Sequence, residues 1–423
     1  MQHQVYHEQL PNGISLIVVP LESTATVTSM VFMGVGSRNE SDDQQGLAHF
    51  TEHMVFKGGR TYKTAQQVAQ TLDAVGGEFN AFTSQEFTGF YTKTDASHTE
   101  LGLDVLSDMV LHATFPAEEL EKEKGVIVEE INMYEDMPMR KVGHVLMDLL
   151  FGDTPLGRKI LGTKESVTAF TRADFEKYRE MFYMGSMCTV ALAGAITPER
   201  AKELVWKYFN ELPQGESYTP SMAVWRTDQK VLLDKSDSEQ THLIIVAKAF
   251  PHSDPRQPTF RLLNTILGST MSSRLFVSVR EQQGLCYYVR SGTDSYRDVG
   301  FLYASAGVDN KRFPQAVEAI VKEFKKMRDE EVSPEELDRA KQHLLGKAAI
   351  TFESSDEVAE YYGIQDLEEK SQETVAEYLE KVQKVTAEDI QALAKEVFQN
   401  EHLRLAAVGP HANAASIEAL LTI

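Results

Sequence analysis

The sequence predicts an α+β protein of two homologous domains, each an antiparallel-rich sheet packed with helices as an α/β sandwich. Three observations carry that expectation. The chain has 423 residues, a length that suits two domains of about 200 residues each. Strand-forming and helix-forming stretches recur in the same order in both halves. A stretch with no hydrophobic period divides them.

The first half opens with I-S-L-I-V-V-P and T-V-T-S-M-V-F-M between Gly13 and Met33, two clusters of β-formers separated by a polar turn. A similar pair returns at Val231-Leu232-Leu233 and from His242 to Ala247. Strand-like G-F-Y-T-K-T from Gly89 leads into T-E-L-G-L-D-V-L-S-D-M-V-L, which has helical spacing, and then into P-A-E-E-L-E-K-E-K from Pro116. In the second half G-F-L-Y-A-S-A-G from Gly300 leads to F-P-Q-A-V-E-A-I-V-K-E-F and then to S-P-E-E-L-D-R-A-K from Ser333. Units of this length repeated in one order point to duplication. Residues 212–229 hold prolines, a glycine and small polar residues with no sustained period, as a connector should. The expected domains are therefore 1–211 and 230–423.

Composition narrows the function. Lys and Arg number 42 against 63 Asp and Glu, a formal net charge of −21, which argues against a phosphate-neutralising surface and so against nucleic acid as a partner. Cys188 and Cys286 are the two cysteines, too few and too far apart in sequence for a disulfide framework or a thiolate metal site. No basic, apolar-cored leader and no membrane-spanning run is evident. The expectation is a cytoplasmic protein without membrane contact.

The stretch L-A-H-F-T-E-H-M-V-F-K from Leu47 places His49 and His53 four residues apart in helix-compatible sequence, so both imidazoles project from one face. Polar groups interrupting an apolar run are costly unless something satisfies them, and a metal ion would. Glu52 is beside them, able to hold a water instead of a metal. Catalytic zinc sites take three protein ligands and keep one position for water. A third ligand is available downstream, where Glu123 and Glu130 stand seven residues apart, about two helical turns. A polar helix face is the plainer explanation of the same residues. Gly34-Val35-Gly36 is too short for a dinucleotide fingerprint, because Asn39 stands where the third glycine belongs.

His49-x-x-Glu52-His53, the reverse of H-E-x-x-H, followed by Glu123 and Glu130, resembles the pitrilysin and insulinase-like zinc metallopeptidases. Over its length, duplication and linker the chain is most similar to the two-domain bacterial peptidases that resemble mitochondrial processing peptidase. The resemblance implies a zinc endopeptidase with one zinc per chain, held by His49, His53 and Glu130, with Glu52 as general base and Glu123 supporting the site. It implies a peptide substrate bound as an added strand within a closed chamber, and a homodimer to build that chamber. In the second domain it implies that Arg280 and Tyr287 contact substrate and help polarise the scissile carbonyl. From spacing alone these two read as a surface ion pair with Glu281 and a partly buried tyrosine. G-G-E-F-N-A-F-T from Gly76 resembles the substrate-pairing edge strand of the family, with Asn80 and Ala81 as contacts; without the resemblance it reads as an ordinary hairpin strand. Aligning P-A-E-E-L-E-K-E-K with S-P-E-E-L-D-R-A-K sets Ala340 opposite Glu123 and Lys347 opposite Glu130, so the second domain is expected to be metal-free. Relatives that have lost their ligands leave a non-catalytic peptide-binding or scaffold subunit as the alternative function.

Overall fold

A computed structural model of the chain describes residues 3–369 and 372–423. Contacts divide it into two compact units: Met1–Ile131, Arg158–Ser221 and Ala348–Ala376 form the first, and Asn132–Gly157, Met222–Lys347 and Glu377–Ile423 the second.

The first unit is built on six strands: β1 (Tyr6–Gln9), β2 (Ser15–Pro20), β3 (Thr26–Met33), β4 (Glu78–Thr83), β5 (Thr88–Asp95) and β6 (Cys188–Gly194), in the spatial order β1-β2-β6-β3-β5-β4. Only β2 and β6 run parallel among the paired strands. β-branched and apolar side chains fill β2, β3 and β6 almost without interruption, and these inner strands are buried on nearly every residue. Each fully buried Val, Leu, Ile or Phe contributes about 1.5–3 kcal/mol. The edge strand β4, E-F-N-A-F-T, is only partly covered. Helices α1 (Leu47–Val55) and α2 (Ala65–Asp73) lie in sequence between β3 and β4, and α3 (Thr99–His112) and α4 (Ala117–Asp136) between β5 and β6.

The second unit repeats this plan with β7 (Val231–Lys235), β8 (Gln240–Ala249), β9 (Cys286–Ser295), β10 (Gly300–Asp309) and β11 (Leu403–Gly409), ordered β7-β11-β8-β10-β9. Its parallel pair is β7 with β11, matching β2 with β6 position for position. The repeat read from the sequence is thus also a repeat of topology, and the predicted α+β duplication is the observed fold. Helix Phe313–Asp329 stands where α3 stands in the first unit, and helix Pro334–Thr351 where α4 stands.

Each sheet is covered on one face by a helix from the other half of the sequence. Helix α5 (Pro138–Phe151) packs on β7, β8 and β11, while helix Ser355–Glu369 packs on β2, β3 and β6. Thr28 meets Ser355 at 2.8 Å and Thr189 donates to Asp366 at 2.9 Å, polar pairings that satisfy buried groups beneath that second helix. Residues between Phe209 and Val231 form neither helix nor strand. No helix among the described residues is long and apolar enough to cross a membrane.

Candidate metal centre

Helix α1 buries Leu47, Ala48, Phe50, Met54 and Val55 along with His49, so its apolar face fixes the direction in which the two imidazoles leave the backbone. Its N-cap residue Gly46 has φ +92°, a left-handed conformation that glycine adopts without strain, and lacks a side chain to cap the helix. Glu40 does so instead: its two carboxylate oxygens accept the backbone N–H groups of Gly46 at 2.9 Å and Ala48 at 2.7 Å. Burial pushes the Glu40 carboxyl up to about 8, against those hydrogen bonds and the charge of Arg158.

Helix α4 buries Leu120, Glu123, Ile127 and Ile131, a stripe at helical spacing in which Glu123 is the one charged member. Packing this stripe inward brings α4 against α1. The Glu123 carboxylate then accepts from His53 Nδ1 at 2.9 Å, and its other oxygen pairs with Lys57 Nζ at 2.6 Å. Burial raises the Glu123 carboxyl, but the His53 and Lys57 hydrogen bonds outweigh it and hold it below its ordinary value. A proton fixed on Nδ1 leaves the His53 Nε2 lone pair free to ligate.

Two helical turns on, Glu130 Oε2 lies 3.7 Å from His49 Nε2 and 3.8 Å from His53 Nε2. Ligand atoms of His49, His53 and Glu130 all fall within 4.8 Å of one another, the one such group among the described residues. Zinc bonds of about 2.0–2.2 Å in a tetrahedral shell set ligand atoms about 3.3–3.6 Å apart, and the Glu130 oxygen already stands near that spacing from both imidazoles. Burial first, then the neighbouring His53, push His49 down to about 3, which keeps its ring in the neutral form that ligates. Its Nδ1 is buried with no hydrogen-bond partner. Two imidazoles and a carboxylate suit zinc.

Glu52 is not in that triad. Its Oε2 accepts from Thr83 Oγ1 at 2.6 Å. Burial raises its carboxyl above the ordinary value, opposed by the Thr83 hydrogen bond and the His53 ring. Asn80 and Ala81 lie on β4, the last strand of its sheet, with Asn80 exposed and its Oδ1 accepting the Ala81 N–H at 2.9 Å. Arg280 and Tyr287 belong to the second unit. The Arg280 guanidinium lies 4.6 Å over the Phe276 ring, and among the described residues no ion pair joins it to Glu281. Tyr287 is 79% exposed at the start of edge strand β9, which disposes of the partly buried tyrosine.

Glu40, Lys57 and Thr83 escaped the sequence reading. Glu40 had a signal, an acidic residue just ahead of a helix whose N-cap is glycine. Thr83 had a weaker one, the period-two alternation that puts it on the same face of β4 as Ala81.

Comparison with known proteins adds the family. The description "Insulinase (Peptidase family M16)" matches residues 17–164 and "Peptidase M16 inactive domain" matches residues 169–344. A Bacillus subtilis protein named uncharacterized zinc protease YmxG is 34% identical over 96% of this chain and 98% of its own. An uncharacterized zinc protease of Mycobacterium leprae is 33% identical over 98% of this chain and 94% of its own. The chain belongs to peptidase family M16. For this M16 chain a protease function follows at that level of detail. In fold it is similar to a protease from Helicobacter pylori, with TM-score 0.89 and 20% identity over 96% of this chain and 100% of that one. A Pseudomonas fluorescens structure described as a peptidase M16 inactive domain superposes with TM-score 0.88 and 20% identity, covering 96% and 98%.

Proposed function

We propose that the chain is a zinc-dependent endopeptidase that binds peptides or unfolded polypeptides as an added strand and hydrolyses them. The observation that carries this is the convergence of His49, His53 and Glu130 from two helices, with Glu52 on the same turn as the histidines but outside the ligand set. His49, His53 and Glu130 would hold one zinc, which when bound supplies Lewis-acid polarisation of the scissile carbonyl and of a water. Glu52 takes the attacking water's proton and passes it to the leaving amine. Glu123 orients His53 through the Nδ1 hydrogen bond, and Lys57 balances the Glu123 charge. Edge strand β4, with Asn80 and Ala81, offers main-chain pairing that gives affinity without demanding one side chain.

Family likeness supports a role for Arg280 and Tyr287 at the scissile carbonyl, where a guanidinium and a phenol are suitable donors to a developing oxyanion. It also supports a homodimer whose two copies build the substrate chamber, which light scattering checks: a strict monomer with full activity contradicts it; the cytoplasmic location proposed with it rests on the sequence reading alone. The test of the function itself is a quenched-peptide library. Cleavage that stops with a chelator and returns with zinc is expected. A zinc-loaded protein that binds these peptides but cuts none is instead a non-catalytic peptide-binding subunit.

A further inference from the structure

Thr83 is the last residue of β4, and its position is fixed from both sides. Its strand partner is Thr88 of β5, and the turn that follows returns from Ser84 to Phe87 with a 2.8 Å backbone hydrogen bond. That turn is pinned in turn by the segment after β3: Ser84 and Gln85 carbonyls accept the N–H groups of Ser37 at 3.2 Å and Arg38 at 2.7 Å. A Cβ on Gly36 would stand 2.3 Å from the Ser84 oxygen, so this close approach is what the glycine permits. Arg38, 2% exposed, completes the clamp with a 2.6 Å bond to Glu86 and a 2.8 Å bond to the Ser221 carbonyl.

Alternation along β4 divides its side chains. Phe82 points to one face, where its ring covers Gly89 and meets Phe32 and Phe87. Phe79 and Thr83 take the other, toward α1, with the Phe79 ring 6.1 Å from that of Phe56 at the end of α1 and the Thr83 hydroxyl 2.6 Å from Glu52. Among the described residues no other hydrogen bond reaches the Glu52 carboxylate.

From this geometry we infer that Thr83 is the positioning residue of the general base, tying the strand that receives the peptide to the carboxylate that takes the water's proton. The inference rests on the endopeptidase reading given above. A glutamate side chain in a half-open site turns about its last torsion, and proton abstraction needs one oxygen held within hydrogen-bond reach of the water. A short, charge-assisted O–H···O bond to Oε2 stops that rotation and leaves Oε1 to accept the proton. Because Thr83 is one end of β4, a peptide paired along the strand is placed in register with the base by the same backbone. No proton leaves Thr83; its hydroxyl stays a donor throughout.

Two substitutions separate the hydroxyl from its bulk. Thr83→Val is nearly isosteric and removes the donor, while Thr83→Ser keeps it. With zinc content confirmed, Thr83→Val is expected to lower kcat on a quenched peptide about ten- to a hundredfold with KM within about twofold, as loss of a positioning contact does. Thr83→Ser should stay within about threefold of the parent. A second measurement needs neither activity nor metal. In chelator-treated protein, a urea-unfolding cycle of Thr83→Val with Glu52→Ala should show the double variant's unfolding constant departing from the product of the single effects by about threefold or more. Full kcat in Thr83→Val, equal damage from Ser and Val, or an additive cycle overturns the assignment while leaving an active parent enzyme. A parent enzyme that cuts no peptide overturns the endopeptidase reading itself, and the positioning role with it.

Discussion

The two units share a strand order, one parallel pair and two helices in the same places, yet among the described residues the one group of side chains that could hold a metal ion lies in the first. In the first, α1 and α4 are joined by His53 to Glu123 and converge at Glu130. In the second, helix Pro334–Thr351 carries Ala340 opposite Glu123 and Lys347 opposite Glu130. Around Ala340 lies a cavity of about 70 Å³ lined by Thr265, Thr270, Ser272 and Ser273 with Arg339 and His343. The acid there, Glu336, is already engaged by Arg274 through two hydrogen bonds of 2.9 and 2.8 Å. The apolar pattern that makes the sheet is therefore indifferent to what the helices hold. Fold came with the duplication, and chemistry depends on a few side chains set into it.

The largest effect expected from this contrast is at Glu52. Glu52→Gln should lower kcat by about 10²–10⁴ while retaining one zinc per chain, because Glu52 is bonded to Thr83 and is not part of the triad. His49→Ala should lose the zinc. Metal analysis of both purified variants beside their turnover decides this: zinc missing from Glu52→Gln but kept by His49→Ala reverses the roles, and a second zinc in the parent protein ends the asymmetry between units.

A smaller effect is expected at Glu123. Glu123→Gln keeps the shape but loses the negative acceptor that fixes the His53 tautomer and balances Lys57, so zinc affinity should fall about 10–100-fold. Competition with a chromophoric chelator measures it. Unchanged affinity would reduce Glu123 to a packing residue.

Much of the shared plan was legible in the sequence. The period-two and helical patterns located the repeated strands and helices, since burying one face requires them, and the seven-residue step from Glu123 to Glu130 put both on one side of α4. Less visible were the interactions that cross between distant segments. Nothing in P-M-R-K-V-G-H-V-L-M-D-L-L-F states which sheet it will cover, because any apolar sheet face accepts such a helix. Glu40 reaches two N–H groups across a loop, and Thr83 meets Glu52 only once β4 lies against α1, so their partners are set by packing and not by spacing.

The smallest effect should come from the second unit, where an ion pair stands in place of a metal bridge. Arg274 and Glu336 are largely covered, with side-chain exposures of 13% and 23%, and their bidentate geometry is of the stronger kind. Partial solvent screening keeps the contribution near the surface-pair range, about 1 kcal/mol. The Arg274 hydrogen bond, opposed by burial, holds the Glu336 carboxyl below its ordinary value. A carboxyl depressed in the folded state binds protons less readily there than in the unfolded chain, so its stabilisation is present above the unfolded carboxylate value and is lost as pH falls through the folded one. Urea unfolding of the parent and of Glu336→Gln should thus differ by about 1 kcal/mol at pH 7, with the gap narrowing in acid below the ordinary glutamate range. A chelator should leave the gap unchanged, since the one candidate metal cluster among the described residues lies in the other unit, whereas the stability cost of Glu123→Gln should depend on whether zinc is present. A Glu336→Gln gap that persists in acid would mean the side chain acts through packing alone. One that disappears with the chelator would mean the second unit senses the metal after all.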